Sequence, residues 1–165
     1  MVHLLFVLVA GLPLHVAPQG DTAFTDPFRM AAWEMFKRGT SDGHLAYIRG
    51  NTALRNLKDR QRFPYRVGFA VTFLKPNEYG LPTSDEAREL TTLENDIDRA
   101  MSGKKLGFLA LVITTGGMRE YVFYSNQPDA VRAQIRKMGS RIHGRDVRSY
   151  VTADPGWEVY FKFTG

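Results

Sequence analysis

From about Asp26 onward the chain alternates between two hydrophobic patterns. Apolar residues that alternate or run together predict strands, and apolar residues three and four apart predict helices. Residues 33–38 and 44–49 read as two short strands, with Gly39, Ser41, Asp42 and Gly43 as turn residues between them. Asn51 or Thr52 caps a short helix over 53–60, with Leu54 and Leu57 inward, and Pro64 ends it. Residues 65–74 are apolar, β-branched and aromatic, which predicts a central strand. Thr83 and Glu86 form a capping box that opens a helix running to about Met101 and stopping at Gly103. Residues 106–114 predict a second central strand, and 119–125 its antiparallel return across a Gly116-Gly117 turn. Pro128 starts the next helix, whose apolar stripe is Val131, Ile135, Met138 and Ile142. A strand follows over 147–152. Trp157, Val159, Phe161 and Phe163 then alternate with Glu158, Tyr160 and Lys162, which predicts a last strand.

In order, the elements read β-β-α-β-α-β-β-α-β-β. The middle β-α-β-β-α-β is the split βαβ of an α+β, ferredoxin-like sandwich. The predicted fold is a largely antiparallel sheet, extended by the N-terminal hairpin and carrying its helices on one face.

The first twenty residues carry no Asp, Glu, Lys or Arg, and residues 4–10 are continuously apolar. Seven residues are too few to span a bilayer, which takes about 20, so no transmembrane span is expected. The run matches the apolar centre of a secretory signal. Against that, His3 stands where Lys or Arg is usual, and the surroundings of Ala17 are a poor cleavage site. Two readings stay open: a signal peptide on an exported or periplasmic protein, or a buried strand or extension of a cytoplasmic one. The expected organisation is an apolar segment over 1–25 and one α+β domain over 26–165.

The 165 residues hold no Cys, which excludes disulfides, a thiolate nucleophile and Cys-type metal sites. Charge is segregated: residues 52–66 and 129–148 each carry a net +4, and residues 78–98 carry −6. One acidic helix and two basic ones are expected, the basic ones being the natural surface for nucleic acid or an acidic partner.

Several segments share an order with a known family: Trp33 through Asp42-Gly43, Phe63-Pro64-Tyr65-Arg66-Val67-Gly68, Gly80-Leu81-Pro82-Thr83, Leu93-Glu94-Asn95-Asp96, Thr114 through Glu120 with Phe123-Tyr124, and Asp154 through Glu158 with Tyr160-Phe161. Together they resemble the bacterial domain of unknown function 695 family over about residues 28–163. Gly116-Gly117-Met118 departs from the Asn-Gly-Arg frequent in members, which removes a cation near that turn. The resemblance implies no activity and no catalytic residues. Members are sometimes joined to a domain similar to a small ribonuclease-inhibitor regulatory fold.

Glu94 is the sharpest single residue. At about 100° per residue, Leu93, Ile97, Leu90, Met101 and Ala87 define an apolar arc of one helix face, and Glu94 falls inside it, between Met101 and Ala87. A carboxylate there must be paired, hydrogen-bonded or protonated. Read functionally, it is a general acid or base; read structurally, it pairs with an Arg from the sheet such as Arg119. Arg119 and Glu120 begin a strand and point to opposite sheet faces. They suit anion binding or cross-strand pairing. Arg119, Tyr124 and Trp157 are the candidate binding residues. No phosphate loop, metal-ligand spacing or nucleophile elbow is present, so no cofactor and no metal are expected. Arg66 through Val71 only loosely echoes an RNA-recognition strand.

The reading these observations favour is a non-catalytic protein-binding or regulatory module, inhibitor- or immunity-like, whose partner is another protein. A small hydrolase or lyase using Glu94 with Arg119 is the alternative. It would be favoured by a pocket between the acidic helix and the hairpin on which both side chains converge. An RNA-binding module using the basic helices comes third.

Overall fold

A computed structural model describes residues 25–39 and 45–165. The apolar run near the N-terminus and the centre of the first predicted turn lie outside the described residues. The described residues form a seven-stranded sheet in the order β1-β2-β4-β5-β3-β7-β6, with every pairing antiparallel. The strands are β1 (Trp33–Gly39), β2 (Leu45–Asn51), β3 (Tyr65–Thr72), β4 (Phe108–Thr115), β5 (Met118–Ser125), β6 (Arg141–Ile142) and β7 (Arg145–Ala153). The helices are α1 (Ser84–Met101), α2 (Pro128–Met138) and α3 (Glu158–Thr164). The chain is thus an α+β protein with a mixed cover of helices and 3-10 turns.

The sheet is covered on both faces, not on one. Val67, Phe69, Val71, Tyr121 and Phe123 meet the Leu90, Leu93, Ile97 and Met101 stripe of α1, with Val131 of α2. On the opposite face Ile48, Leu111, Val122 and Tyr124 meet Trp157 and Tyr160 from the α3 segment, with Leu54, Leu57 and Phe63. A bulge in β4 between Leu109 and Leu111 serves both faces. It turns Ala110 and Leu111 into the same core, so that Phe108, Ala110, Leu111 and Ile113 line the α3 side, and Leu109 and Val112 the α1 side.

Helix α3 replaces the predicted last strand. Trp157, Tyr160 and Thr164 are buried and Phe161 half-buried, a spacing of three and four that coexists with the alternation seen in sequence. Turn chemistry decides between them. Asp154 Oδ1 accepts from the Glu158 N–H (2.8 Å), and Trp157 adopts a left-handed conformation (φ 57°) that starts a helix instead of extended chain. Two other predictions change in detail. The 53–60 helix is two 3-10 turns, Thr52–Asn56 and Arg60–Arg62. Ile142 leaves the α2 stripe, because Gly139 (φ 73°) ends that helix and the chain turns back through the β6-β7 hairpin.

The capping box is half made. Thr83 Oγ1 accepts from the Glu86 N–H at 3.3 Å. The Glu86 carboxylate instead takes the N–H groups of Leu74 (2.6 Å) and Lys75 (3.3 Å) and pairs with Arg145 (2.7 Å). Arg145 reaches Glu89 as well, and His143 meets Asp96. The acidic and basic segments therefore close on each other at the α1 to β6-β7 seam, and part of the charge segregation is consumed inside the fold.

Candidate functional site

The two covers are offset along the sheet. Helices α1 and α2 sit over β4, β5, β3 and β7, and the α3 side covers β2, β4 and β5. On the α1 face this leaves the β1-β2 end without a helix above it among the described residues. Phe36, Ala46 and Ile48 point to the α3 core, so alternation turns Trp33, Met35, Leu45, Tyr47 and Arg49 to the open side. Trp33, Met35 and Leu45 are exposed there, Met35 by 66%.

A cleft of about 370 Å3 opens between that sheet surface, α1 and the loop before it. Two rows of cross-strand neighbours floor it. One runs Tyr47, Thr114, Arg119; the other runs Met35, Arg49, Val112. Side chains opposed in this way lie roughly 5 Å apart at Cβ. Thr91 and Glu94 of α1 form one wall, and Leu81 and Pro82 the rim. The rim is held by local chemistry. Asn77 Oδ1 accepts from the Tyr79 (2.9 Å) and Leu81 (3.0 Å) N–H groups, and the Gly117 N–H donates to Gly80 O (2.9 Å). That close approach uses the Gly116-Gly117 hairpin turn, both residues at positive φ (49° and 82°). A second cavity of about 400 Å3, against Phe28, Met30 and Trp33, shares Arg49 and Glu94 with the first.

Glu94 accepts from Arg49 in an ion pair, with the carboxylate side chain only 13% exposed. The Arg49 guanidinium also lies over the Trp33 ring, 5.0 Å from its centroid, and its Nε is buried without a hydrogen-bond partner. Arg119 donates from Nε to Thr114 Oγ1 (3.1 Å), and no carboxylate among the described residues lies within ion-pair distance of it. The adjoining Tyr121 hydroxyl donates to Leu90 O (2.6 Å). Burial pushes its pKa up to about 12, a rise that Arg119 opposes and Glu94 reinforces.

Glu94 and Arg119 thus line one cleft, and Arg49 is the Glu94 partner. Glu120 points to the other face, where it accepts from the Tyr150 hydroxyl. Tyr124 and Trp157 are wholly buried and stacked on each other (4.0 Å, 15°). The Tyr124 hydroxyl donates to Asp154 Oδ2 (2.7 Å) and Trp157 Nε1 to Phe63 O (3.0 Å). Their polar atoms are spent inside, so they present no surface to a partner. Sequence reasoning passed over Arg49, Met35 and Tyr47. Their shared parity on paired strands is the one signal for them, and it acquires meaning only once the register of β1, β2 and β4 is known.

Among the described residues no group of three metal-ligating side chains occurs, and no helix is long and apolar enough to cross a membrane. Fold and cleft together define an antiparallel α+β protein with a guanidinium-lined recess between its first helix and its edge hairpin. The chain belongs to a family of unknown function, DUF695, whose model matches residues 31–164. No curated protein and no solved structure matches it.

Proposed function

We propose that this chain is a non-catalytic binding module that holds a segment of another protein along the open β1-β2 surface and in the cleft beside α1. The carrying observation is that surface itself: Trp33, Met35 and Leu45 are exposed on a sheet face that no helix among the described residues covers, directly next to the recess. β1 pairs only with β2 among the described residues, and an edge strand of this kind suits strand addition. An inhibitor or immunity protein is one form such a module takes. The cleft-lining groups support holding over reacting: Glu94 is committed to Arg49, and the Thr114 hydroxyl to Arg119.

The test is affinity capture from the native cell with the full chain and with Met35→Asp, followed by intact mass of what is retained. A defined protein held by the parent chain and lost with Met35→Asp is the expected result. Retention of the same species by both chains refutes the surface assigned here.

One observation favours the second reading, a hydrolase or lyase: Glu94 and Arg119 share the cleft. That chemistry requires Arg49 to release Glu94. Turnover that rises in Arg49→Gln and disappears in Glu94→Gln would support it. For the architecture, the order β4-β5-β3-β7 with α1 and α2 on one face supports reading the centre as a ferredoxin-like split βαβ within one domain over 26–165.

A further inference from the structure

We infer that Arg119 anchors a carboxylate subsite in the cleft, and that the bound segment presents a single carboxylate to it. This rests on the binding reading above and narrows the ligand chemistry. Among the described residues, eight other arginines have an acidic partner within ion-pair distance: residues 29, 49, 62, 88, 99, 132, 141 and 145. Arg119 is half-buried, lines a recess and has none among the described residues.

A guanidinium carries five N–H donors. Thr114 takes one and the Tyr121 hydroxyl at most one more. The bond from Nε fixes the plane of the group and leaves the terminal nitrogens for a carboxylate, the planar acceptor that a guanidinium fork fits.

Charge balance selects the ligand further. Arg49 and Glu94 cancel, so the recess carries one uncompensated positive charge. A carboxylate matches it. A phosphate dianion brings a second negative charge against the Glu94 side chain and leaves it unmatched. The walls are mixed: Met35, Val112, Leu81 and Pro82 are apolar, and Tyr47 adds a ring. An organic group, not a bare ion, fills such a space. The volume of about 370 Å3 is near the lower end of ligand sites, enough for a chain end or one side chain.

Two sources present that chemistry, a C-terminal carboxylate and an Asp or Glu side chain. The experiment is a titration of the full chain followed through the arginine Nε–H signals by nuclear magnetic resonance. The probes are N-acetyl-leucyl-phenylalanine with a free carboxylate, the same dipeptide amidated, N-acetyl-glutamate amide, and inorganic phosphate. The expected result is saturable carboxylate binding that moves the Arg119 signal and weakens at least tenfold in Arg119→Gln. It should be unchanged in Arg66→Gln, a folded control outside the recess. Preference for the free dipeptide over its amide assigns a chain end, and binding of the glutamate amide assigns a side chain. Equal or tighter binding of phosphate, an unmoved Arg119 signal, or undiminished binding by Arg119→Gln overturns the inference. So does the absence of saturable binding by every carboxylate probe. If Arg119→Gln still captures the partner protein that Met35→Asp loses, the subsite is refuted and the binding reading stands. If Met35→Asp also retains that protein, the binding reading fails on its own.

Discussion

Arg145→Met tests whether the seam between α1 and the β6-β7 hairpin supports the fold. Arg145 is 4% exposed and bonds Glu86, itself 5% exposed, at 2.7 Å. Met fills most of the space that the aliphatic stem occupies, so the change removes chiefly the charge. Breaking a buried pair by deleting one partner costs about 3–5 kcal/mol. Two terms pull toward the lower figure. Glu86 keeps the Leu74 and Lys75 N–H donors, and the lost contact to Glu89 involves a carboxylate that is 63% exposed, worth about 0–1 kcal/mol. The expected loss is ~3 kcal/mol, or roughly 6–12 °C in Tm for a chain of this size. Acid should shrink the difference. Burial raises the Glu86 pKa, but the Leu74 N–H, Arg145 and the Lys75 N–H together hold it below its ordinary 4.5. Its contribution is therefore complete above about pH 4.5 and is lost as pH falls through the lower folded value. Urea unfolding of both chains at pH 7 and near pH 3, with Glu86→Gln and the double variant completing a cycle, measures the coupling. A loss under about 0.5 kcal/mol at pH 7, or a difference that does not narrow in acid, refutes the reasoning.

Gly68→Ala should destabilise by about 1–3 kcal/mol, because a Cβ there would overlap the Tyr150 ring. In a Tyr150→Ala background the same change should become nearly neutral, which denaturant unfolding of the four chains would show. Gly117→Ala should cost about 1 kcal/mol or more, since the turn holds φ 82° and a Cβ strains that conformation; thermal unfolding checks it. Tyr121, Tyr124, Tyr150 and Tyr160 all have pKa values raised above 10, with burial the largest cause. The unfolded chain loses those protons first, so stability should be full below about pH 10 and fall as pH rises beyond it. Ultraviolet titration at pH 11 should leave at least three of the seven tyrosines, Tyr121, Tyr124 and Tyr150, un-ionised while the fold holds.

The central strands were legible because their residues carry one message. Val67, Phe69 and Val71 alternate, and every competing signal agrees. Glu94 was legible as an oddity on the α1 wheel, and its low exposure follows from that geometry. Its partner was not, because Arg49 is one of several cations on predicted strands and only strand register brings it across to α1. The α3 segment shows the limit most clearly. A seven-residue stretch satisfied both periodicities, and the Asp154 side chain decided between them through a bond to a backbone N–H. The second covered face was illegible for a related reason: the inward pair Leu54 and Leu57 was read from the pattern, but nothing in it assigns them a face of their own once α3 reads as a strand.

The α3 helix also ties distant parts of the chain to each other. The Tyr160 hydroxyl donates to Asn51 O (2.7 Å), Arg55 bonds Thr164 O, and Thr164 packs on Gly50. More than a hundred residues separate those partners. During synthesis, the β1-β2 hairpin would emerge long before the segment that seals its inner face. Closing so long a loop is slow, so the last folding step should be docking of α3, and folding should be rate-limited by topology instead of helix formation. In a cell, Ala46, Ile48 and Phe36 then stay uncovered until the intervening chain has been translated and α3 has docked.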